Sequence, residues 1–295
     1  MQRELKETII EKLLLLTALI AVVVIFLIGW FIFREGLPLM FKVGLGNFLF
    51  GTEWAPTRGE FGIFTMIVGT IVVTIGSLIL GVPLGIASAI FMAEIAPRAV
   101  VKIVRPAVEL LAGIPSVIYG LFGLVLVKDL IQQVGKAYLG SAGGAVTGLG
   151  IINASIILAI MILPTVINIS YDALRSVPRE YKEGSLALGA SHWQTISKVL
   201  VPAASSGIIA GVVLGMGRAI GETMAVIMVA GNSPVVPDSL FAMVRTLTGN
   251  IAMEMGYASG DHRQALFATG VVLFIFIMML NSVASYVVKQ GKKVA

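Results

Sequence analysis

The sequence predicts an all-α membrane protein with six transmembrane helices. Hydrophobic residues form 57% of its 295 residues and charged residues only 13%, a balance typical of chains surrounded mainly by lipid. Six apolar runs each reach the roughly 20 residues that a helix needs to cross a hydrocarbon core. Helices are expected because lipid offers the backbone no hydrogen-bond partners. The runs cover residues 13–33, 62–91, 107–127, 149–169, 203–230 and 265–288.

The first apolar run is predicted to be a retained helix rather than a cleaved signal peptide. Acidic residues Glu4, Glu7 and Glu11 precede it, and no small-residue cleavage site follows it. We therefore treat residues 1–33 as a cytoplasmic N-terminus with the first transmembrane helix. The other five runs form a predicted core over residues 62–288, which includes a polar loop at residues 171–202.

The distribution of basic residues predicts that both termini are cytoplasmic. With that topology, 13 Lys and Arg residues lie in cytoplasmic segments and 7 lie on the opposite face. This asymmetry follows the positive-inside rule and accounts for a pI of about 9.5. We therefore expect membrane lipid as a partner and no nucleic acid. The sequence has no cysteine and two histidines, so thiolate metal sites are excluded and a histidine metal site is not expected.

The longest outward segment, residues 232–263, contains apolar residues at roughly helical spacing. It is predicted to be either a packed structural cap or a lid that contacts substrate.

The third apolar run contains the sequence Gly113-Ile114-Pro115-Ser116, which predicts a kink. Proline has no N–H to donate to the helix, and its ring clashes with the preceding turn. The kink is either a packing bend or part of the wall of a polar pathway. In the second case, carbonyl groups freed by Pro115 face water beside Ser116.

Glycines four residues apart predict where helices approach each other closely. Gly207, Gly211 and Gly215 form a doubled GxxxG pattern in the fifth run, whereas Gly81 and Gly85 form a single one in the second. Such spacing gives a flat helix face on which another backbone can pack. The doubled pattern predicts that the fifth helix is central to the bundle rather than lipid-facing.

The fifth run also carries two charged residues, Arg218 and Glu222, followed by Thr223. An arginine at mid-membrane costs about 2.5–3.5 kcal/mol on insertion scales, a cost that persists only where the charge has a partner or a function. Residues four apart share a helix face, so Arg218 and Glu222 are predicted to lie within pairing reach. Two interpretations stay open: Glu222 neutralises Arg218 in a structural ion pair, or Glu222 holds a guanidinium group that stays available to an anion crossing the membrane.

The polar loop between the fourth and fifth runs predicts a helix, a glycine turn and a second helix. Pro178 suits the first turn of a helix, and Gly189 suits the positive φ that ends one. Ser191 and Gln194 have the spacing of a capping box that begins the second helix. Leu188 falls near the apex with little to bury it, a pattern typical of a partner site.

This loop resembles the EAA loop of ABC-importer permeases. Four positions match that motif in type and spacing: Glu183, Gly189, Val199 and Pro202. Two small residues, Gly184 and Ser185, replace the family's alanines. The resemblance implies that the loop, with Leu188 near its apex, docks into a cleft of a cytoplasmic ATPase, where Glu183 meets a basic residue. The alternative is an ordinary amphipathic loop beside the membrane.

Nearly the whole chain is similar to the phosphate-uptake (Pst) permeases, most closely to the PstC type. The similarity is carried by GRAIGETMAVIMVAGN, by AGIPSVIYG and by ALRSVPREYKEGSLALGASHWQTI, of which the first is the most specific. It implies a type I ABC importer permease fold in the inner membrane, with inorganic phosphate passing Arg218 and Glu222. It also implies three partners: a PstA-type permease that forms a heterodimer with this chain, a PstB-type ATPase dimer, and an extracytoplasmic phosphate-binding protein.

No GxxxxGK[ST] motif occurs, so we assign ATP hydrolysis, with its ATP and Mg²⁺, to the partner ATPase and predict no cofactor for this chain. An enzyme is disfavoured because Asp172 and Asp261, which faintly suggest an intramembrane protease, fall in loops on opposite faces. The main alternative is an ion-coupled secondary anion transporter, which Arg218 and Glu222 would serve equally well but which does not require an EAA loop. Charge alone does not fix which anion is carried.

Overall fold

The computed structural model describes residues 2–139 and 147–294, and this part of the chain is mostly helical. Its helices are α1 (Gln2–Val43), α2 (Leu45–Phe50), α3 (Phe64–Ile90), α4 (Arg98–Ala112), α5 (Ser116–Phe122), α6 (Lys128–Leu139), α7 (Ile151–Arg175), α8 (Arg179–Ala187), α9 (His192–Thr195), α10 (Val201–Ala203), α11 (Ser205–Gly221), α12 (Met224–Val229), α13 (Leu247–Glu254) and α14 (Gly260–Val294). Short π-helical segments follow α3, α5 and α9, at Phe91–Ile95, Gly123–Val127 and Ile196–Leu200. Two short strands, β1 (Trp54–Ala55) and β2 (Glu60–Phe61), pair antiparallel.

Six membrane crossings can be assigned within the described residues. Five helical segments are long and apolar enough to cross by themselves: Ile9–Val43, Phe64–Ile95, Ser116–Ala137, Ile151–Arg175 and Gly260–Val283. The remaining crossing, fifth in chain order, contains α11. The axis of α11 is bent by 68° from that of the preceding helical segment, His192–Ala203. Because α11 has 17 residues, it extends only about 26 Å, short of a core of roughly 30 Å, and we assign the apolar helix α12 that follows it to the same crossing. The prediction of six transmembrane helices is confirmed.

Helix α7 is the centre of the bundle, and glycines on two sides let α3 and α11 approach it. On the α3 side, a Cβ added at Gly85 would lie 2.7 Å from Cγ1 of Val166. On the α11 side, a Cβ added at Gly215 would lie 3.1 Å from Cγ2 of the same valine. Gly81 and Gly207 make similarly close approaches to α7. Both predicted glycine motifs are therefore packing faces, and α11 is central, as predicted.

Helix α1 packs antiparallel to α14 at the edge of the bundle. Phe31 and Phe267 meet edge to face with ring centroids 5.4 Å apart, and Lys42 near the end of α1 pairs with Asp261 at the start of α14. The start of α1 and the end of α14 therefore lie together at the other end of the bundle, away from the pair of Lys42 and Asp261. We call it the loop end, because residues 171–202 lie there, and we call the opposite end, with β1, β2 and α13, the cap end. Which end faces the cytoplasm stays a prediction.

The predicted boundaries of the third transmembrane helix, residues 107–127, are wrong. The chain breaks at Gly113–Pro115, so that α4 ends before this segment and α5 begins at Ser116. Pro115 is extended, with φ −58° and ψ 140°, and the predicted kink is a full break. The crossing itself is Ser116–Ala137, and α4 lies at the loop end outside it. The apolar end of α4 merges with this crossing in the sequence, which explains the error.

The fifth crossing is also interrupted, so a continuous helix over residues 203–230 is a wrong prediction. Helix α11 ends at Gly221, Glu222 is extended with φ −68° and ψ 130°, and α12 begins at Met224. Thr223 Oγ1 donates to the carbonyl of Gly221 at 3.2 Å, which satisfies one of the helix-end oxygens. The break is therefore stabilised by side chains beside it.

The cap end is held together by a buried carboxylate, Glu254 of α13. It accepts hydrogen bonds from Trp54 Nε1 at 2.9 Å and from Arg245 Nη1 at 2.6 Å, and it lies 2.8 Å from His262 Nε2. These partners come from β1, from the segment before α13 and from the first turn of α14. The segment at residues 232–263 therefore packs as a cap.

Candidate functional site

Arg218 lies in the last turn of α11 and is half-buried. No described residue forms a hydrogen bond or an ion pair with its guanidinium group. The phenol of Tyr119, on α5, lies within electrostatic range of it. The C-terminal end of a helix carries partial negative charge, which favours a cation there and offsets part of the insertion cost. A helix end, rather than a carboxylate, accommodates this charge.

Glu222 does not pair with Arg218, so the predicted ion pair is wrong. Because α11 ends at Gly221, the helical i, i+4 geometry on which the pairing depends is lost. Glu222 Oε1 instead accepts a hydrogen bond from the backbone N–H of Ala225 at 3.1 Å, which caps the start of α12. The carbonyl of Glu222 accepts a hydrogen bond from Thr248 Oγ1 at 3.1 Å. The structure therefore contradicts the structural ion pair and also the expectation that Glu222 holds Arg218 for an anion.

The break before the third crossing and the break within the fifth lie side by side. A Cβ added at Gly120 of α5 would lie 3.0 Å from the Cα of Ala225 in α12. A Cβ added at Gly123 would lie 2.6 Å from Cγ1 of Val229. The two short helices therefore run parallel in close contact. They begin at the same depth in the bundle.

The structure gathers the predicted pathway residues around these two adjacent breaks. Ser116 is the first residue of α5 and is half-buried, and Thr223 lies between α11 and α12. At such breaks, one at the start of the third crossing and one within the fifth, the backbone carries polar groups that a continuous helix would satisfy. The residues brought together are Pro115, Ser116, Arg218, Glu222 and Thr223.

The polar loop folds as helix, glycine turn and helix, as predicted. Helix α8 ends at Ala187, Gly189 has φ +85°, and α9 begins after Ser191. The predicted capping box is present: Ser191 Oγ accepts from the N–H of Gln194 at 3.3 Å, and Gln194 Oε1 accepts from the N–H of Ser191 at 2.8 Å. Leu188 is 91% exposed at the apex, which fits a surface that a partner covers.

Helix α8 is anchored to the bundle on one face and open on the other. Lys182 pairs with Glu94, whose side chain is 8% exposed, at the loop end of the second crossing. Ser185 Oγ lies 3.0 Å from Thr195 Oγ1 and joins α8 to α9. Glu183 is exposed, and no described residue bonds its carboxylate. Glu183 is thus accessible to a partner from a helix that is fixed to the membrane bundle.

We call residues 171–202 the coupling loop, after its predicted contact with an ATPase. The remaining residues predicted for that contact include Gly184 and Pro202. A Cβ added at Gly184 would meet nothing within 4 Å, so the alanine of the EAA motif would fit there. Pro202 lies in α10, just before the 68° bend into α11. The coupling residues form one element at the loop end, separate from the breaks around Arg218.

Sequence reasoning missed the residues that hold the breaks in place. Tyr119 Oη donates to the carbonyl of Leu111 at 2.8 Å, across the break before α5. Thr248 bonds the carbonyl of Glu222 from 26 positions away. The hydrogen bonds of Glu254 at the cap end could not be predicted from sequence either, since Trp54 lies 200 positions from this carboxylate. A polar side chain inside an apolar run is the signal that could have singled out Tyr119.

Comparison with known proteins identifies the family. A profile described as "Binding-protein-dependent transport system inner membrane component" matches residues 81–292. A probable ABC transporter permease protein of Bacillus subtilis, YqgH, is 41% identical over 293 residues, a match that covers 96% of this chain and 92% of that protein. The phosphate transport system permease protein PstC of Mesorhizobium japonicum is 36% identical, over 83% of this chain and 78% of its own length.

Solved structures of importer permeases share the fold. A chain of a bacterial ABC transporter involved in the import of the acidic polysaccharide alginate is 19% identical, with a TM-score of 0.62 over 96% of this chain and 99% of that one. A chain of the MetNI methionine ABC transporter is 19% identical, with a TM-score of 0.58 over 81% of this chain and 99% of its own. The predicted type I ABC importer permease fold is confirmed. The chain belongs to the inner membrane components of binding-protein-dependent transport systems, and within them to the permeases related to PstC.

Proposed function

We propose that this chain is the membrane-spanning permease subunit of an ATP-driven importer that moves inorganic phosphate into the cytoplasm. The names of its PstC relatives support phosphate as the substrate. The chemistry of Arg218 supports it as well, because a guanidinium group offers forked hydrogen bonds that match the oxygens of a tetrahedral oxyanion.

The observation that carries the proposal is the unpaired guanidinium of Arg218 beside two broken helices. An unpartnered cation inside an apolar crossing is costly, and it is expected where a charged solute passes. Pro115, Ser116 and Thr223 line the pathway at the breaks. Glu222 lies next to the route and repels an anion, which keeps binding weak enough for phosphate to leave Arg218 again.

The polar loop transmits the work of the ATPase to this pathway. An ATPase dimer of the PstB type binds ATP and Mg²⁺ and docks on the loop end, which with both termini faces the cytoplasm. Glu183 meets a basic residue of the ATPase, and Leu188 enters its surface. A PstA-type permease completes the pathway as a heterodimer, and an extracytoplasmic phosphate-binding protein delivers phosphate at the cap end. The docking element consists of Glu183, Gly184, Ser185, Leu188, Gly189 and Pro202.

Replacing Arg218 by glutamine tests the pathway. We expect Arg218→Gln to abolish phosphate uptake by the complete complex in proteoliposomes, while the subunits still co-purify. Arg34→Gln is the matched control, because Arg34 is an exposed cation on the peripheral helix α1 and no described residue bonds it. The control should import phosphate at the normal rate. Normal uptake by Arg218→Gln would defeat the assignment of the route.

The alternative, an ion-coupled secondary anion transporter, uses the same two charged residues, Arg218 and Glu222, but needs no ATPase. The exposed coupling loop and the family membership favour the ATP-driven importer. Liposomes that contain this chain alone separate the two. Uphill phosphate uptake driven by a proton gradient, without an ATPase, would support the secondary transporter.

A further inference from the structure

A cleft of about 360 Å³ opens at the loop end, between the bundle and the coupling loop. Its apolar lining includes two buried leucines, Leu174 of α7 and Leu200 before α10. Its volume lies in the range of small-molecule sites. The charged residues that line it come from the end of the second crossing and from α4, α7 and α8: Glu94, Arg98, Arg175, Arg179, Lys182 and Glu183.

Most of the positive charge in this cleft has no partner within the chain. Lys182 is paired with Glu94. Arg98, Arg175 and Arg179, in contrast, form no hydrogen bond or ion pair with any described residue. Three guanidinium groups from three different helices therefore border one cleft, with a single unpaired carboxylate among them.

One arginine at the loop end, by contrast, has partners within the chain. Arg105, two turns beyond Arg98 on α4, lies 3.1 Å from Glu109 and 3.3 Å from Asp172, and it stacks over the ring of Tyr171 at 5.0 Å. Its hydrogen bond with Glu109 raises the pKa of Arg105 above its ordinary value. The chain thus supplies carboxylates to an arginine close by, whereas it leaves the arginines of the cleft without them.

We propose that this cleft binds a phosphate group. Guanidinium groups bind phosphate oxygens in pairs, and three of them on separate helices can share one anion. Two sources offer this chemistry: inorganic phosphate from the cytoplasm, and the phosphate of an anionic phospholipid at the membrane surface. Either occupant ties α4 and α7 to α8, so it holds the coupling loop against the bundle. The site is separate from the route past Arg218 and stands or falls independently of it.

The test uses the complete complex in nanodiscs, with Arg218→Gln present so that binding on the proposed route is removed. Radiolabelled inorganic phosphate is titrated in phosphatidylcholine nanodiscs, and retained phosphatidylglycerol is quantified by mass spectrometry in mixed nanodiscs. Arg98→Gln and Arg175→Gln each remove one guanidinium group of the cleft. Lys102→Gln is the matched control, because Lys102 is an exposed cation one turn along α4 that does not line the cleft.

We expect one of the two probes to bind in a saturable way, and each arginine variant to weaken that binding about tenfold or more, with Lys102→Gln unchanged. Loss of phosphate binding identifies the free anion, and loss of phosphatidylglycerol identifies the headgroup. No saturable binding of either probe would overturn the proposal. An equal loss in Lys102→Gln would also overturn it, since it would reveal diffuse surface charge rather than a site.

Discussion

Replacing Gly189 by valine tests whether the shape of the coupling loop transmits the work of the ATPase. Gly189 has φ +85°, and a Cβ added there meets no heavy atom within 4 Å. The substitution therefore strains the backbone without causing a clash. Strain of this kind amounts to about 1–2 kcal/mol for an ordinary side chain, and valine is among the least tolerant. A change of that size shifts the balance between the native turn and its alternatives by about 5–30-fold.

We expect the complete Gly189→Val complex in proteoliposomes to hydrolyse ATP but to import several-fold less phosphate per ATP. Gly189→Asn should reduce the phosphate imported per ATP by less, because asparagine tolerates positive φ better than valine does. Gly256→Val is the matched control, since Gly256 is exposed at the cap end, has an ordinary φ and has equally open space around it. A wild-type ratio of imported phosphate to hydrolysed ATP in Gly189→Val would refute the transmission role of this turn.

Three further substitutions test packing and charge. Gly85→Val overpacks the contact with Val166 and should destabilise the purified complex by about 1–3 kcal/mol, lowering its melting temperature; partial recovery on adding Val166→Ala would identify the contact, and unchanged melting would contradict it. Glu222→Gln keeps an oxygen that can cap α12, so assembly should persist and uptake should fall by less than about tenfold; a loss as complete as in Arg218→Gln would show that the negative charge itself is required. Glu254→Leu removes the carboxylate that pairs with the largely buried Arg245 and should lower the free energy of unfolding by about 3–5 kcal/mol; normal thermal stability would disprove a structural role for the hydrogen bonds of Glu254.

The coupling loop could be predicted from sequence because its signals are local. Pro178 marks a helix start, Gly189 marks its end, and Ser191 with Gln194 caps the next helix, each within a few residues. No distant contact is needed to specify these turns. The number of crossings is also predictable, since it depends on the length and hydropathy of each run.

The breaks in the crossings could not be predicted in the same way. The residues after Thr223 are apolar and compatible with a helix, so composition predicts a continuous helix where the chain is interrupted. What holds the interruption is a contact from Thr248, far along the chain, together with packing of α12 on Gly120. Arg218 was found because its charge is conspicuous, but its lack of a carboxylate partner follows only from the three-dimensional arrangement.

The glycine faces on either side of Val166 determine how the bundle can move. Sliding α3 or α11 along α7 would drive a valine methyl into a neighbouring backbone, because no spare volume separates them. These contacts favour movement of the three helices as one rigid unit over sliding of one helix along another. Helix α11 begins just after the bend that follows Pro202 and carries Arg218 in its last turn. If an ATPase acts on the coupling loop as proposed, a rotation of α11 about this bend would move the guanidinium group.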